Sequence, residues 1–415
     1  MAKASIAKKP NRFITRTQNN FNANFSRNIR KPFYVSKVEK MFINPTFAKK
    51  SSMKSFTLIL ILFFITFFNV SAQDTISKVQ VQDSIHASIS KDTLVIVGVG
   101  DVMLGTIIPN RESLPPNEDC SNEFVNVKDI FQSADVAFCN LEGVFTDTPA
   151  GRKSCKDASN CWTFGMPTKF VNCLVDAGFD LISTANNHTK DFGPTGKIST
   201  AKALDSAGLH YAGWITKPYT IYEKDSIKYG FCAFSPESGN CDIRKYDEAR
   251  KIVHYLDSVC DVVIVSFHSG AEGVDHQHVT KKDEMFMGYN RGNVYAFSHI
   301  VVDAGADVVF GHGPHVTRGV EVYKDRFIAY SMGNFCTYSR ISIAGVCGLA
   351  PIMQVFTDKT GKFMKAKIVS TNQIKYQPPL IDPQKRVLKI IQNLTKQDFP
   401  EVKINISDDG WVTMP

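Results

Sequence analysis

Leu94-Val95-Ile96-Val97-Gly98-Val99-Gly100-Asp101-Val102-Met103-Leu104-Gly105 is the stretch on which the fold turns. Its opening run, 94–99, is short and β-branched, and it stops at a glycine followed at once by a carboxylate. Apolar residues that run on without alternating suit a strand buried on both faces. The pattern recurs along the chain. Run 135–139 leads into Asn140-Leu141-Glu142, and 179–183 leads toward Asn186-Asn187-His188. Run 261–267 leads into His268, 307–310 into Gly311-His312-Gly313-Pro314-His315, and 327–330 into Ser331-Met332-Gly333-Asn334. A seventh run covers 229–234. Amphipathic helices are expected over 167–177, 195–207, 247–259 and 291–304, so strand–helix alternation predicts a layered α/β sheet.

In such sheets the loops after the strands gather at the carboxyl edge, where ligands bind. Six loops would then deliver Asp, Glu, Asn and His together. Hard oxygen and imidazole donors of this kind suit divalent cations. Taken singly, each has an ordinary reading: a helix cap for Asp101, a satisfied polar residue for a histidine, a turn residue for Asn334. Their recurrence at six strand ends favours a metal or polar active site. Other chemistries lack their signatures. Met103 stands where a dinucleotide fingerprint needs its third glycine. No G-x-S-x-G elbow and no C-x-x-C pair occurs. His276 and His278 read equally as a metal pair, a solvent-facing pair or part of a substrate loop.

The chain carries 48 Lys+Arg against 40 Asp+Glu, a net charge of +8. Residues 1–50 hold 12 Lys+Arg and one acid, a net of +11, which leaves −3 for the rest. The basic balance is therefore no sign of a nucleic-acid surface. Residues 1–52 read as a disordered or mis-assigned extension. Met53-Lys54, the apolar run 58–68 and Val70-Ser71-Ala72 match a secretory signal over 53–72, with the protein starting at Met53 and cleaved after Ala72; the alternative is an uncleaved anchor. Residues 73–92 read as a linker, 93–350 as the main domain and 351–415 as an extension completing it. That tail is expected to hold a strand pair, a helix near 384–394 and a final strand over 402–406. In an oxidising compartment some of the ten cysteines should pair. Cys120, Cys155, Cys161, Cys241, Cys336 and Cys347 lie in loop-like stretches and are the disulfide candidates. Cys139, Cys173, Cys232 and Cys260 read as buried thiols.

Gly100-Asp101-Val102-Met103-Leu104-Gly105, Asn140-Leu141-Glu142-Gly143, Thr184-Ala185-Asn186-Asn187-His188 with Asp191-Phe192-Gly193, Gly311-His312-Gly313-Pro314-His315-Val316 and Tyr330-Ser331-Met332-Gly333-Asn334-Phe335 together resemble the CapA family of poly-γ-glutamate capsule synthesis. The resemblance covers about residues 94–340. It implies a calcineurin-like metallophosphatase fold: four layers, two packed mixed sheets flanked by helices. It also implies two divalent ions (Mn, Fe or Zn) held by Asp101, Glu142, Asn187, His268, His312 and His315. His188 would be the general acid or a substrate ligand, Glu272 a substrate contact or a support behind the ligands, and Asn334 and Arg318 would face substrate. The implied partners are an anionic polymer or phosphoester and membrane proteins of envelope polymer synthesis, without nucleic acid. The implied place is the periplasm or cell envelope. The alternative is a non-catalytic protein that holds the polymer in the same cleft. Three departures stand out. The broader metallophosphoesterases carry Asp-x-His where this chain has Asp101-Val102-Met103. They carry Asp at the position of Glu142. CapA-like proteins commonly have a second His where Gly313 stands.

Overall fold

The computed structural model describes residues 92–155 and 161–415. The extension, the export signal and all but the last residue of the linker lie outside them. In chain order the strands are β1 (Leu94–Met103), β2 (Val136–Leu141), β3 (Val144–Phe145), β4 (Gly165–Met166), β5 (Leu181–Ser183), β6 (His210–Ala212), β7 (Tyr219–Lys224), β8 (Ile227–Phe234), β9 (Val262–His268), β10 (Met285–Phe286), β11 (Tyr289–Asn290), β12 (Val308–His312), β13 (Val320–Tyr323), β14 (Arg326–Ala329), β15 (Asn334–Thr337), β16 (Leu349–Thr357), β17 (Phe363–Asn372), β18 (Leu380–Ile381), β19 (Asn405–Ile406) and β20 (Trp411–Thr413). The helices are α1 (Lys128–Gln132), α2 (Val171–Ala177), α3 (Gly193–Ser206), α4 (Tyr246–Val259), α5 (Val294–Asp303) and α6 (Arg386–Asp398).

All seven apolar runs are strands, but they do not share one sheet. β1, β2 and β5 lie in a ten-stranded sheet of order β19-β20-β17-β16-β1-β2-β5-β6, with β15 also paired to β1 and β18 to β17. β8, β9, β12 and β14 lie in a six-stranded sheet of order β13-β14-β12-β9-β8-β7. Both are mixed: β1, β2, β5 and β6 run parallel while β16 and β17 are antiparallel.

Strand periodicity sorts the side chains into layers. Ile96, Phe138 and Leu181 meet Phe231, Ile264 and Phe310 between the two sheets. Their neighbours Val97, Ala137, Cys139 and Ile182 face outward under Phe131, Leu174 and Leu204 of α1, α2 and α3. On the other sheet Val263, Val265 and Val309 pack under Val253, Leu256, Phe297 and Val301 of α4 and α5. The order is helix, sheet, sheet, helix. Gly98 lets the sheets close: a Cβ there would lie 2.6 Å from the Phe310 ring.

α2 ends at Gly178, whose φ of 96° supplies the left-handed cap. α5 starts at Asn293, whose side chain accepts from Ala296 N. The tail joins the large sheet through β16 to β20, and α6 adds Val387, Leu388 and Ile391 to the core between the sheets. The helix begins and ends later than expected, at Arg386 and Asp398, and the final strands are β19 and β20. Among the described residues no helix is long and apolar enough to cross a membrane.

The disulfides are Cys120–Cys173 and Cys155–Cys161. Three of the four half-cystines were expected; Cys173 was not, because its apolar helix hides that it faces the Cys120 loop. Cys241, Cys336 and Cys347 are free thiols, as are Cys139, Cys232 and Cys260.

Candidate metal centre

Asp101 lies near the end of β1, where the backbone is clamped between two neighbours. It pairs with Asn140 of β2 on one side and Asn334 of β15 on the other, and the register shifts beside it on both. Its N–H donates to Gly333 O at 2.9 Å. Gly100 permits that approach, since a Cβ there would lie 2.0 Å from the same carbonyl oxygen. From the other sheet, His268 and His312 end β9 and β12 as register partners. His315 sits in the next turn in a left-handed conformation, φ 58°, an uncommon backbone for a residue other than glycine. The two sheets therefore aim their parallel carboxyl ends at one cleft.

The carboxylate of Asp101 is fully buried. Oδ1 accepts from Asn140 Nδ2 at 2.8 Å and lies 3.1 Å from His312 Nδ1. Oδ2 lies 3.2 Å from His315 Nδ1. Glu142 Oε1 lies 3.5 Å from His268 Nε2, 3.5 Å from His315 Nε2 and 3.9 Å from His188 Nε2. Asp101, Glu142 and His315 each offer a donor atom within 4.8 Å of the others.

Several of these atoms are buried without a hydrogen-bond partner: both oxygens of Glu142, both ring nitrogens of His268, Nε2 of His312 and Oδ1 of Asn187. An orphaned buried polar group costs about 1–3 kcal/mol. A cation would satisfy them, so the donor set fits a divalent metal.

The electrostatics agree. Burial lowers the pKa of His268 to about 3, which keeps its ring neutral, as a ligand must be. Burial, then the Asp101 charge, pushes Glu142 up to about 8. Burial works to raise Asp101, but hydrogen bonds and charge from His312 and His315 hold it well below the usual carboxylate range. Burial likewise works against a charged His315, yet Glu142 and Asp101 outweigh it and raise its pKa to about 10.

His188 belongs to a second arrangement beside the first. Its Nδ1 lies 2.7 Å from Asp191 Oδ2, and Phe164 N donates to that same oxygen at 2.7 Å. Lys153 Nζ lies 2.5 Å from Asp191 Oδ1. The His188 ring stacks on Phe164 at 4.1 Å. With Nδ1 held by a carboxylate, Nε2 is the nitrogen left to face the cleft.

The family model of the bacterial capsule synthesis protein PGA_cap matches residues 95–339, well over half of the chain. The chain belongs to the PGA_cap family. It is similar to the PGA biosynthesis protein CapA of Bacillus subtilis strain 168, 26% identical over 262 residues that cover 59% of this chain and 64% of the relative. It is also similar to the capsule biosynthesis protein CapA of Bacillus anthracis, 25% identical over 264 residues, 59% and 60% of the two chains. The matched region is thus under two thirds of either relative. A putative 5'-nucleotidase from Staphylococcus aureus aligns at a TM-score of 0.36 with 13% identity, over 76% of this chain and 60% of that one. That likeness is loose, and the layer order above carries the fold.

The PGA_cap domain brings Asp101, Glu142, His188, His268, His312 and His315 to one cleft. Asn187 is half-buried next to His188, with an unbonded Oδ1. Glu272 stands at the rim, 4.0 Å from His315 Nε2 and 3.1 Å from Arg291 Nη2.

Two expected substrate contacts are corrected. Arg318 is 1% exposed, and its guanidinium is engaged with Glu284 (2.8 and 2.7 Å) and His276 O (2.9 Å), so no fork is left for an anion. Asn334 is fully buried; Oδ1 meets His315 Nδ1 at 3.0 Å, and Nδ2 donates to His315 O, Ser342 O and Cys347 O. It holds the histidine turn in place. His278 pairs with Asp398 of α6 at 2.7 Å.

Sequence reasoning left Asn140, Asn186 and Asp191 without roles. Asn186 Nδ2 donates to Asn140 Oδ1 and Leu141 O, and its Oδ1 accepts from His188 N. The signal for Asp191 was its place three residues after His188, within the family motif.

Proposed function

We propose that this PGA_cap chain is an exported, metal-dependent hydrolase or transferase acting on an anionic substrate in the synthesis of a capsule or cell-envelope polymer such as poly-γ-glutamate. The observation that carries the reading is the set of buried, unbonded donor atoms on Glu142, His268 and His312 beside the Asp101 carboxylate. Asp101, Glu142, His268, His312 and His315 would hold the metal, with Asn187 at its edge. The group would be one or two Mn, Fe or Zn ions, supplying Lewis-acid polarisation of the scissile phosphoryl or carbonyl oxygen and a water nucleophile usable near neutral pH.

The chain's own residues do the rest. Asp191 fixes the His188 tautomer from Nδ1, and Lys153 screens the buried Asp191 charge. In its imidazolium form His188 carries a second proton on Nε2, and that proton passes to the leaving group, returning the ring to the Nδ1–H form that Asp191 holds. Phe164 covers one face of the ring and keeps water from it. Asn140 holds Asp101 Oδ1, and Asn334 holds His315. Export is supported by the signal read over 53–72, and the envelope polymer by the family.

A second reading is a non-catalytic polymer-binding protein. Its support is that, among the described residues, one compact acid–histidine triad meets the spacing for a metal site, and that Met103 occupies a position where a further histidine would ligate.

The deciding variant is His188→Ala, assayed against phosphoesters and γ-glutamyl amides. Turnover should fall about 10²–10⁴-fold, with metal content and melting temperature retained. Undiminished turnover would remove His188 from the chemistry. No turnover by the native protein, with polymer binding intact, would favour the second reading.

A further inference from the structure

Beyond the metal cleft, the carboxyl edge of the large sheet carries an exposed cation mounted on an aromatic ring. Arg340 places its guanidinium carbon 4.9 Å from the centre of the Trp162 ring. Both side chains are exposed, Trp162 at 43%. Among the described residues Arg340 has no carboxylate partner, which separates it from Arg244, Arg250, Arg291, Arg318, Arg326 and Arg386, each paired with an acid.

Each half of the pair is tied to the site by a short stretch of chain. Trp162 precedes by two residues the Phe164 whose ring stacks on His188. Phe164 O accepts from Val144 N, which ties the backbone two residues after Trp162 to β3. The Cys155–Cys161 bridge fixes the backbone just before Trp162, and Thr106 Oγ1 donates to Thr163 O just after it.

Arg340 follows β15, which starts at the His315-holding Asn334 and runs beside the end of β1. Tyr338 N donates to Met103 O at 3.0 Å, and Ser339 Oγ to Ser113 O at 2.6 Å. Asn334 Nδ2 reaches forward to Ser342 O in the same loop. Arg340 itself is held at φ 68°, a left-handed conformation that costs a non-glycine residue energy and that clusters at ligand-binding positions. The loop is thus pinned on both sides of one strained, exposed arginine that meets no acid among the described residues.

We infer that Arg340, braced on Trp162, is a binding subsite for a carboxylate or phosphate group of the substrate, one step out from the metal cleft. This rests on the anionic-substrate reading above and names the residues that select for it. A guanidinium offers two parallel N–H donors to either anion, and the indole face beneath keeps that fork oriented and partly desolvated. Arg291, by contrast, is flanked and neutralised by Glu237 and Glu272.

The test is calorimetric binding to the full-length, metal-loaded protein, with a γ-linked glutamate pentamer and phenyl phosphate as probes. Arg340→Gln should weaken at least one probe about tenfold, and Trp162→Ala should weaken the same one. Arg340→Lys should recover part of the loss, because it restores charge without the planar fork. Loss confined to the pentamer identifies a carboxylate subsite; loss confined to phenyl phosphate identifies a phosphate subsite. Metal content should be unchanged in every variant. Affinities of Arg340→Gln within about two-fold of native for both probes would overturn the subsite. So would a native protein that binds neither, and that result would leave the metal centre and the His188 role standing. Failure of the His188 test with Arg340-dependent binding intact would do the reverse.

Discussion

Removing the Glu284 carboxylate should destabilise the fold far more than removing any rim charge. Arg318 and Glu284 bury their side chains to 0% and 4% exposure and meet through two hydrogen bonds of 2.8 and 2.7 Å. Glu284 Oε2 also accepts from Ala271 N at 2.8 Å, so the pair braces the loop that carries Glu272. Glu284→Ala leaves a guanidinium buried with no counter-charge. Breaking a buried pair in this way costs about 3–5 kcal/mol, most of it the penalty on the abandoned ion. Arg318→Met with Glu284→Leu removes both charges and should cost clearly less than the single change, because no ion is stranded. Urea unfolding of the native protein, Glu284→Ala and the double variant measures the difference. A Glu284→Ala cost under about 1 kcal/mol would refute the reasoning and return Arg318 to the candidates for substrate binding.

Two further outcomes follow from the packing. Burial pushes the Glu123 pKa up to about 7, and Glu123 Oε2 has no hydrogen-bond partner. Below the unfolded pKa near 4.5 the carboxyl is neutral in both states; between about 4.5 and 7 the unfolded chain ionises while the folded one still holds its proton, so native stability falls across that window and levels off above it. Glu123→Gln should therefore melt at a higher temperature than the native protein at pH 8, with the gap closing by pH 4.5; an equal gap at both would refute the assignment. Gly98→Ala should destabilise by about 1–3 kcal/mol, the usual range for overpacking, because its Cβ would press on Phe310 where the sheets meet; unchanged chemical denaturation would refute that packing.

How much the sequence revealed depended on how local each feature is. The strand runs and the donors that follow them are local, and they were legible: 94–99 followed by Asp101, and 261–267 followed by His268. The division into two sheets was not legible from the runs, since a strand buried on both faces looks the same in either sheet. It takes Ile96 and Phe138 meeting Phe231 and Phe310 to define the interior between them. Pairings between distant residues were also hidden. Arg318 is an unattached cation in sequence, and its partner Glu284 lies 34 positions earlier. Cys173 has the apolar neighbours of a buried thiol, and only the packing of α2 brings it to Cys120. Asn334 follows its strand as a ligand would, but the fold turns its side chain toward the histidine turn.

Everything proposed for the cleft depends on Asp101, Glu142, His268, His312 and His315 holding a divalent metal. Inductively coupled plasma mass spectrometry on the purified, dialysed protein tests it most directly. The expected result is one equivalent or more of Mn, Fe or Zn per chain, rising toward two when that metal is added, and falling sharply in Asp101→Ala and His312→Ala. No bound metal, and none taken up on addition, would contradict it.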